Sequence, residues 1–188
     1  MTENLPQPPA GPILLDAVAA EIEAFAAGAG WGGSPTLFAL VPTRTLATDP
    51  AASSVLSPDG SPLDPDAISE SALTPIAQEE LPDGALDEIL SQIGWPSEVV
   101  GCALSQEIVM LPPSAETALD DLDLDAALDA ATTHPERREA RLVVAVLRDG
   151  RSAGVLRLRA TDGAADDLLT GAELAPNLVA ALSATLSD

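Results

Sequence analysis

The chain has no lysine, a single cysteine, a single histidine, and so few aromatic residues that they make up 2% of it. Each shortage closes off a chemistry. Without lysine there is neither a Schiff-base nucleophile nor the lysine of a phosphate-binding loop. With Cys102 alone, an intramolecular disulfide and a multi-cysteine zinc or iron-sulfur site are excluded, and a reducing compartment fits. With His134 alone, a histidine metal cluster cannot form, and a Ser-His or Cys-His pair would have to use that one imidazole. No Gly-x-Gly-x-x-Gly or Gly-x-x-x-x-Gly-Lys motif is present. Neither a metal nor a cofactor is expected. The opening MTENLPQPPAG has no basic stretch, and Asp16, Glu21 and Glu23 break the apolar run after it. That fits neither a secretory signal nor a membrane span, so the expectation is a cytoplasmic protein without membrane insertion.

What the chain does have is acid. Thirty acidic residues face 8 arginines, for a net charge of −22. Nucleic acid is therefore not expected as a partner, because binding phosphates needs cations that displace counterions. Arg137, Arg138, Arg141, Arg148, Arg151, Arg157 and Arg159 all fall in one window that holds only Glu139 and Asp149 as acids. At 188 residues the chain has a one-domain length and can bury a core without covalent staples.

Leu14, Val18, Ile22 and Phe25 recur at helical spacing with Asp16 and Glu23 opposite, which predicts an amphipathic helix over 12–27. Trp31, a buried strand over 36–41 and a short helix over 43–48 follow. Residues 49–84 turn to Pro, Ser, Asp and Glu and read as an excursion within one domain. Its best candidate for order is LTPIAQEELP from Leu73, where Pro75 suits a first helical turn. Asp83 can cap a helix through Leu86, Leu90 and Ile93 that stops at Gly94. After Trp95 comes a strand over 99–111 whose alternation turns Cys102 inward with Leu104. An acidic stretch leads into a helix carrying Leu124, Leu128 and Ala131. Ala164 to Leu169 reads as a short helix, and Pro176 opens a last one with Leu178, Leu182 and Leu186 on its inner side. Gly-Trp thus stands twice between a helix and a strand. Each glycine lets the chain turn off its helix, and each tryptophan is expected to wedge between helix end and sheet.

ARLVVAVLRDGRSAGVLRLRA is a β-hairpin around Asp149-Gly150. A two-residue turn would set Leu156 and Leu158 opposite Val143 and Arg141. A three-residue turn over Arg148, Asp149 and Gly150, with Gly150 left-handed, groups Leu142, Val144 and Val146 with Leu156 and Leu158. It leaves Arg141, Arg157 and Arg159 on the other face. Burial of one face favours this second register. The sum is an α+β fold, with an antiparallel sheet of about four strands and helices packed mainly on one face. Residues 1–11 are expected to be disordered, and 12–188 to form one α+β domain with the excursion at about 49–84.

His134, at a helix end before Pro135, reads as a cap for carbonyls rather than a catalytic group. Asp121, Asp123 and Asp125 match the start of a calcium loop, but Ala126 and Thr132 replace its glycine and glutamate, so a solvated helix start is the better reading. Gly30, Gly32 and Gly33 follow a helix and precede a strand, the reverse of phosphate-binding order. No catalytic residue can be named. The binding candidates are Arg141, Arg157 and Arg159, whose guanidinium groups can clamp an anion or an acidic segment, together with Trp31 and Trp95. The alternative is internal neutralisation, for instance by Glu107 or by the helix over 120–129. Val143, Ala145 and Val155 on the same face point to partial cover, as a homodimer contact would give.

The order GW, PTLFALVPT, LTPIAQEELP, IGWPSEVVGCAL, LPPSAE, HPERREARLVVAVLRDG and LRLRATD resembles an uncharacterised actinobacterial family, over about residues 30–186. The resemblance implies genes near a PDZ-containing Lon-like protease and a large membrane protein, hence an envelope-associated or protein-handling setting. It implies no activity and assigns no site residue. Two readings follow. One is a non-catalytic acidic interaction module, an adaptor or chaperone-like protein with an unidentified protein partner. The other is an enzyme, or a protein binding a small molecule or an anionic ligand, with a pocket near Trp31, Trp95 and the arginine-bearing face.

Overall fold

The computed structural model describes residues 12–57, 61, 63–82, 84–112, 115, 117, 122–160 and 165–187. The expected disorder of 1–11, the Asp83 cap and the Asp120–Asp121 start of the acidic stretch lie outside them. Six strands form one antiparallel sheet: β1 (Thr36–Pro42), β2 (Leu73–Ala77), β3 (Gly101–Met110), β4 (Arg138–Leu147), β5 (Ser152–Leu158) and β6 (Asp167–Thr170), in the order β2-β1-β3-β4-β5-β6. The helices among the described residues include α1 (Pro12–Gly28), α2 (Thr43–Ala47), α3 (Pro50–Leu56), α4 (Leu86–Ser91), α5 (Leu124–Thr133) and α6 (Pro176–Thr185).

The sheet is α+β and antiparallel as expected, but it has six strands rather than about four, and both additions are edges. The segment at Leu73, expected to be helical, is β2, and Pro75 lies within it opposite Leu40. Proline is tolerated there because an edge strand has one side without ladder partners. The segment expected as a helix near Leu169 is β6, paired with β5 through Leu156 and Leu169.

Helices also cover both faces, not mainly one. The central strands carry apolar residues at successive positions, the pattern of a sheet buried on both sides. On one side Leu15, Val18, Ala19 and Ile22 of α1 pack on Phe38, Leu40, Ala103, Val143, Ala145 and Val155. On the other, Leu90 of α4 and Leu182 and Leu186 at α6 pack on Leu37, Cys102, Leu104, Leu142, Val144 and Leu156. Each such side chain contributes about 1.5–3 kcal/mol relative to exposure.

The hairpin adopts the three-residue turn. Leu142 faces Leu156, Arg141 faces Arg157, and Gly150 has φ +87°. The turn shares its backbone bonds between Leu147, Gly150 and Arg151. Arg148, at its first position, stitches the second layer together. Its guanidinium donates to the carbonyls of Val99 at 2.9 Å, Trp95 at 2.9 Å and Pro96 at 3.3 Å, and to that of Leu186.

Candidate functional site

The hairpin register puts Arg141 and Arg157 side by side under α1, and the helix answers with a carboxylate. Leu15, Val18, Ala19 and Ile22 form its buried stripe, and the next position on that stripe is Glu23, 2% exposed. Glu23 takes two hydrogen bonds from Arg157, Nε to Oε1 at 2.5 Å and Nη2 to Oε2 at 2.6 Å. Arg141, 3% exposed, lies 3.6 Å from Glu23 and 3.2 Å from Glu107 on β3. The Glu23 hydrogen bonds hold the Arg157 guanidinium above the ordinary arginine range. The spacing of Leu14, Val18, Ile22 and Phe25 predicts Glu23 on the solvent side of α1. The helix is rotated from that reading, and Phe25 is the exposed residue, at 68%.

Trp31 closes the cluster. Arg141 stacks on its ring at 4.6 Å and Arg159 at 5.3 Å, and Arg159 is paired with Glu139. Trp31 reaches this position because Gly30 and Gly32 on either side adopt φ of +89° and +93°, which side chains resist. The same curl points the N–H groups of Gly32 and Gly33 at Glu107, which accepts from Gly32 at 2.9 and 3.0 Å and from Gly33 at 3.4 Å. Arg141 also donates to the Gly30 carbonyl. Beside this arrangement lies a cavity of about 100 Å³ walled by Phe25, Phe38 and Ala26, with Glu107 and Arg141 at its polar end.

The sequence candidates Trp31, Arg141, Arg157 and Arg159 therefore come together, while Trp95 does not. Trp95 packs with the layer on the opposite face of the sheet, where its indole Nε1 donates to Thr185 at 3.0 Å. Each of the three guanidinium groups has a carboxylate within the chain, so the internal-neutralisation alternative describes their state, with Glu23 as the partner it lacked. The covering over this face is α1. The signal for Glu23 was the stripe of Leu15, Val18, Ala19 and Ile22, whose next turn contains it.

The remaining reactive groups are held quiet. Cys102 is fully buried, 3.6 Å from the Thr185 hydroxyl, and burial pushes its thiol up to about 11. His134 Nδ1 accepts from the Glu136 amide at 3.1 Å instead of capping carbonyls. Among the described residues, no His, Cys, Asp or Glu group is arranged to hold a metal ion, and no helix is long and apolar enough to cross a membrane.

Residues 15–187 match the family described as PPA1309-like protein. The chain belongs to that family. The family is of unknown function, so membership assigns no role to the Arg-Trp-Glu cluster. No curated protein and no solved structure matches the chain.

Proposed function

We propose that this chain is a non-catalytic interaction module of the cytoplasm that captures an extended basic segment of another protein along β6. The observation that carries this reading is the state of that edge. All four residues of β6 are exposed, and Leu168 and Leu169 stand 49% and 48% open on opposite faces of the strand. Last in the sheet among the described residues, β6 has no strand partner on its outer side there, which suits an added strand, in which main-chain bonds give affinity and alternate side chains give specificity.

Charge selects the partner. Arg44, Arg138, Arg141, Arg148, Arg151, Arg157 and Arg159 all have acceptors within the chain. With a net charge of −22, the outward field is negative, and Glu173 lies beside the edge. A basic segment is steered to such a surface, whereas a second copy is repelled. The covered arginine face, which would have favoured a homodimer, is occupied by α1.

The test is titration of the labelled protein with an alternating Arg-Val octapeptide and with its Glu-Val counterpart, following backbone amide resonances. The reading expects saturable shifts at residues 167–170 with the basic peptide only, weakening as salt is raised. Shifts confined elsewhere, or equal response to the acidic peptide, would refute it.

A further inference from the structure

Glu107 sits where a ligand would. The left-handed glycines beside Trp31 turn successive N–H groups to one side, the geometry of a backbone concavity that binds anions. Its donors converge with the Arg141 guanidinium on one carboxylate, that of Glu107. The two carboxylates around Arg141 differ in access. Glu23 is sealed at 2% exposure, while the Glu107 side chain is 26% exposed, at the mouth of the cavity.

Removing Glu107 from the seat would leave Glu23 bound to Arg157 and Arg141 still facing Glu23, so the layer beneath survives the exchange. The seat would keep its three donors and adjoin a space of about 100 Å³ with aromatic walls. That space is about three water molecules in size, which suits a short alkyl group. A small anion alone gains nothing from the apolar walls, and a neutral amide gains little from the charged donors.

We propose that this is a carboxylate-binding site kept shut by its own Glu107, and that a small organic acid with a short apolar tail, of the butyrate class, takes the seat when Glu107 turns out to solvent. The inference goes beyond docking at β6 and does not depend on it. Glu107 is tethered beside the donors, so a free acid competes against an effective concentration in the millimolar range. Binding to the native chain is correspondingly weak, and removing the tethered competitor strengthens it.

The experiment titrates sodium butyrate, butyramide and sodium chloride into the wild type, E107A and E107Q at fixed ionic strength. The amide signals of Gly32 and Gly33 and the indole signal of Trp31 are followed. Butyrate is expected to shift all three saturably, with a millimolar Kd in the wild type and at least tenfold tighter binding in both variants. Butyramide and chloride are expected to leave them in place. Should E107A fail to fold, E107Q, which preserves side-chain shape, carries the comparison. No gain in E107Q over the wild type, or chloride or butyramide matching butyrate, overturns the proposal. Butyrate is read at Gly32, Gly33 and Trp31 and the basic peptide at residues 167–170, each with its own ligand, so the two proposals fail separately.

Discussion

Glu23 and Arg157, separated by 134 positions in the chain, meet in a two-pronged ion pair at 2.5 and 2.6 Å beneath α1. Arg141 stands 3.6 Å from the same carboxylate. Taking such charges out of water costs several kcal/mol per ion, and their attraction offsets that only when the geometry is good. The pair therefore contributes less to total stability than to the seating of α1. Sliding the helix by one residue would keep apolar contacts with the sheet, but it would draw the Glu23 carboxylate away from Arg157 and Arg141.

Breaking the pair from one side should consequently be severe. E23Q keeps the side-chain shape and removes the charge, and it is expected to lower stability by about 3 kcal/mol, the low end for a buried pair because Arg157 is partly open to water. The urea midpoint should fall at unchanged m-value. Combining it with R157Q should cost at least about 1 kcal/mol less than the sum of the single changes, since the two residues share one interaction. Strict additivity would show that the pair does not couple.

Much of the central sheet was legible because parity is a strong signal. In β4 and β5 only one register buries Leu142 with Leu156, and the turn around Gly150 follows from it. The edges were not legible. LTPIA of β2 is short, carries proline and is only half-buried, so it lacks both alternation and a β-branched run, and its order comes from pairing with β1. DLLT of β6 has four residues, too few to separate period two from a helical turn. In the candidate site the arginines and Trp31 were visible as outliers in composition. Glu23 was hidden because an acid on a helix is usually solvated, and only the sheet supplies the cations that draw it inward.

Arg148 lends itself to a test of the second layer. Its guanidinium binds carbonyls of Trp95, Pro96, Val99 and Leu186, tying the loop before β3 to the end of α6. A planar fork with five donors can do this and an ammonium or thioether cannot. R148M is expected to lose roughly 2–4 kcal/mol through carbonyls left without donors, with R148K in between. Thermal unfolding should order the three proteins accordingly. Hydrogen exchange in R148M should speed up first in α6.

Two glycines should respond to alanine for different reasons. At Gly150 nothing lies near an added methyl, but φ is +87°, so G150A should cost about 1–2 kcal/mol from backbone strain alone. At Gly101 an added Cβ would sit 2.4 Å from the Val146 carbonyl oxygen and 2.5 Å from a Leu147 methyl. G101A must push β3 and β4 apart, and about 1–3 kcal/mol is the expected cost of such overpacking. G101A should disturb amide shifts along both strands, while G150A should confine its shifts to the turn.

The alkaline limb of stability should belong to Cys102. Burial lifts its thiol from an ordinary 9.0 to about 11, against weaker lowering by the Thr185 hydroxyl and the Arg148 charge. The folded chain then holds a proton that the unfolded chain releases between those values. Stability is unaffected below pH 9 and falls as pH rises from about 9 towards 11, by on the order of 2 kcal/mol. The chain contains neither lysine nor tyrosine, so no other side chain has its ordinary titration in that window. Urea unfolding of the wild type at pH 8.0 to 11.0, in buffers of matched ionic strength of about 0.1 M, should show the decline, and C102A should flatten it. The wild-type thiol should also resist alkylation at pH 8 until urea opens the fold, because the thiolate is the reactive form. A slope that persists in C102A would place the titrating group elsewhere in the chain.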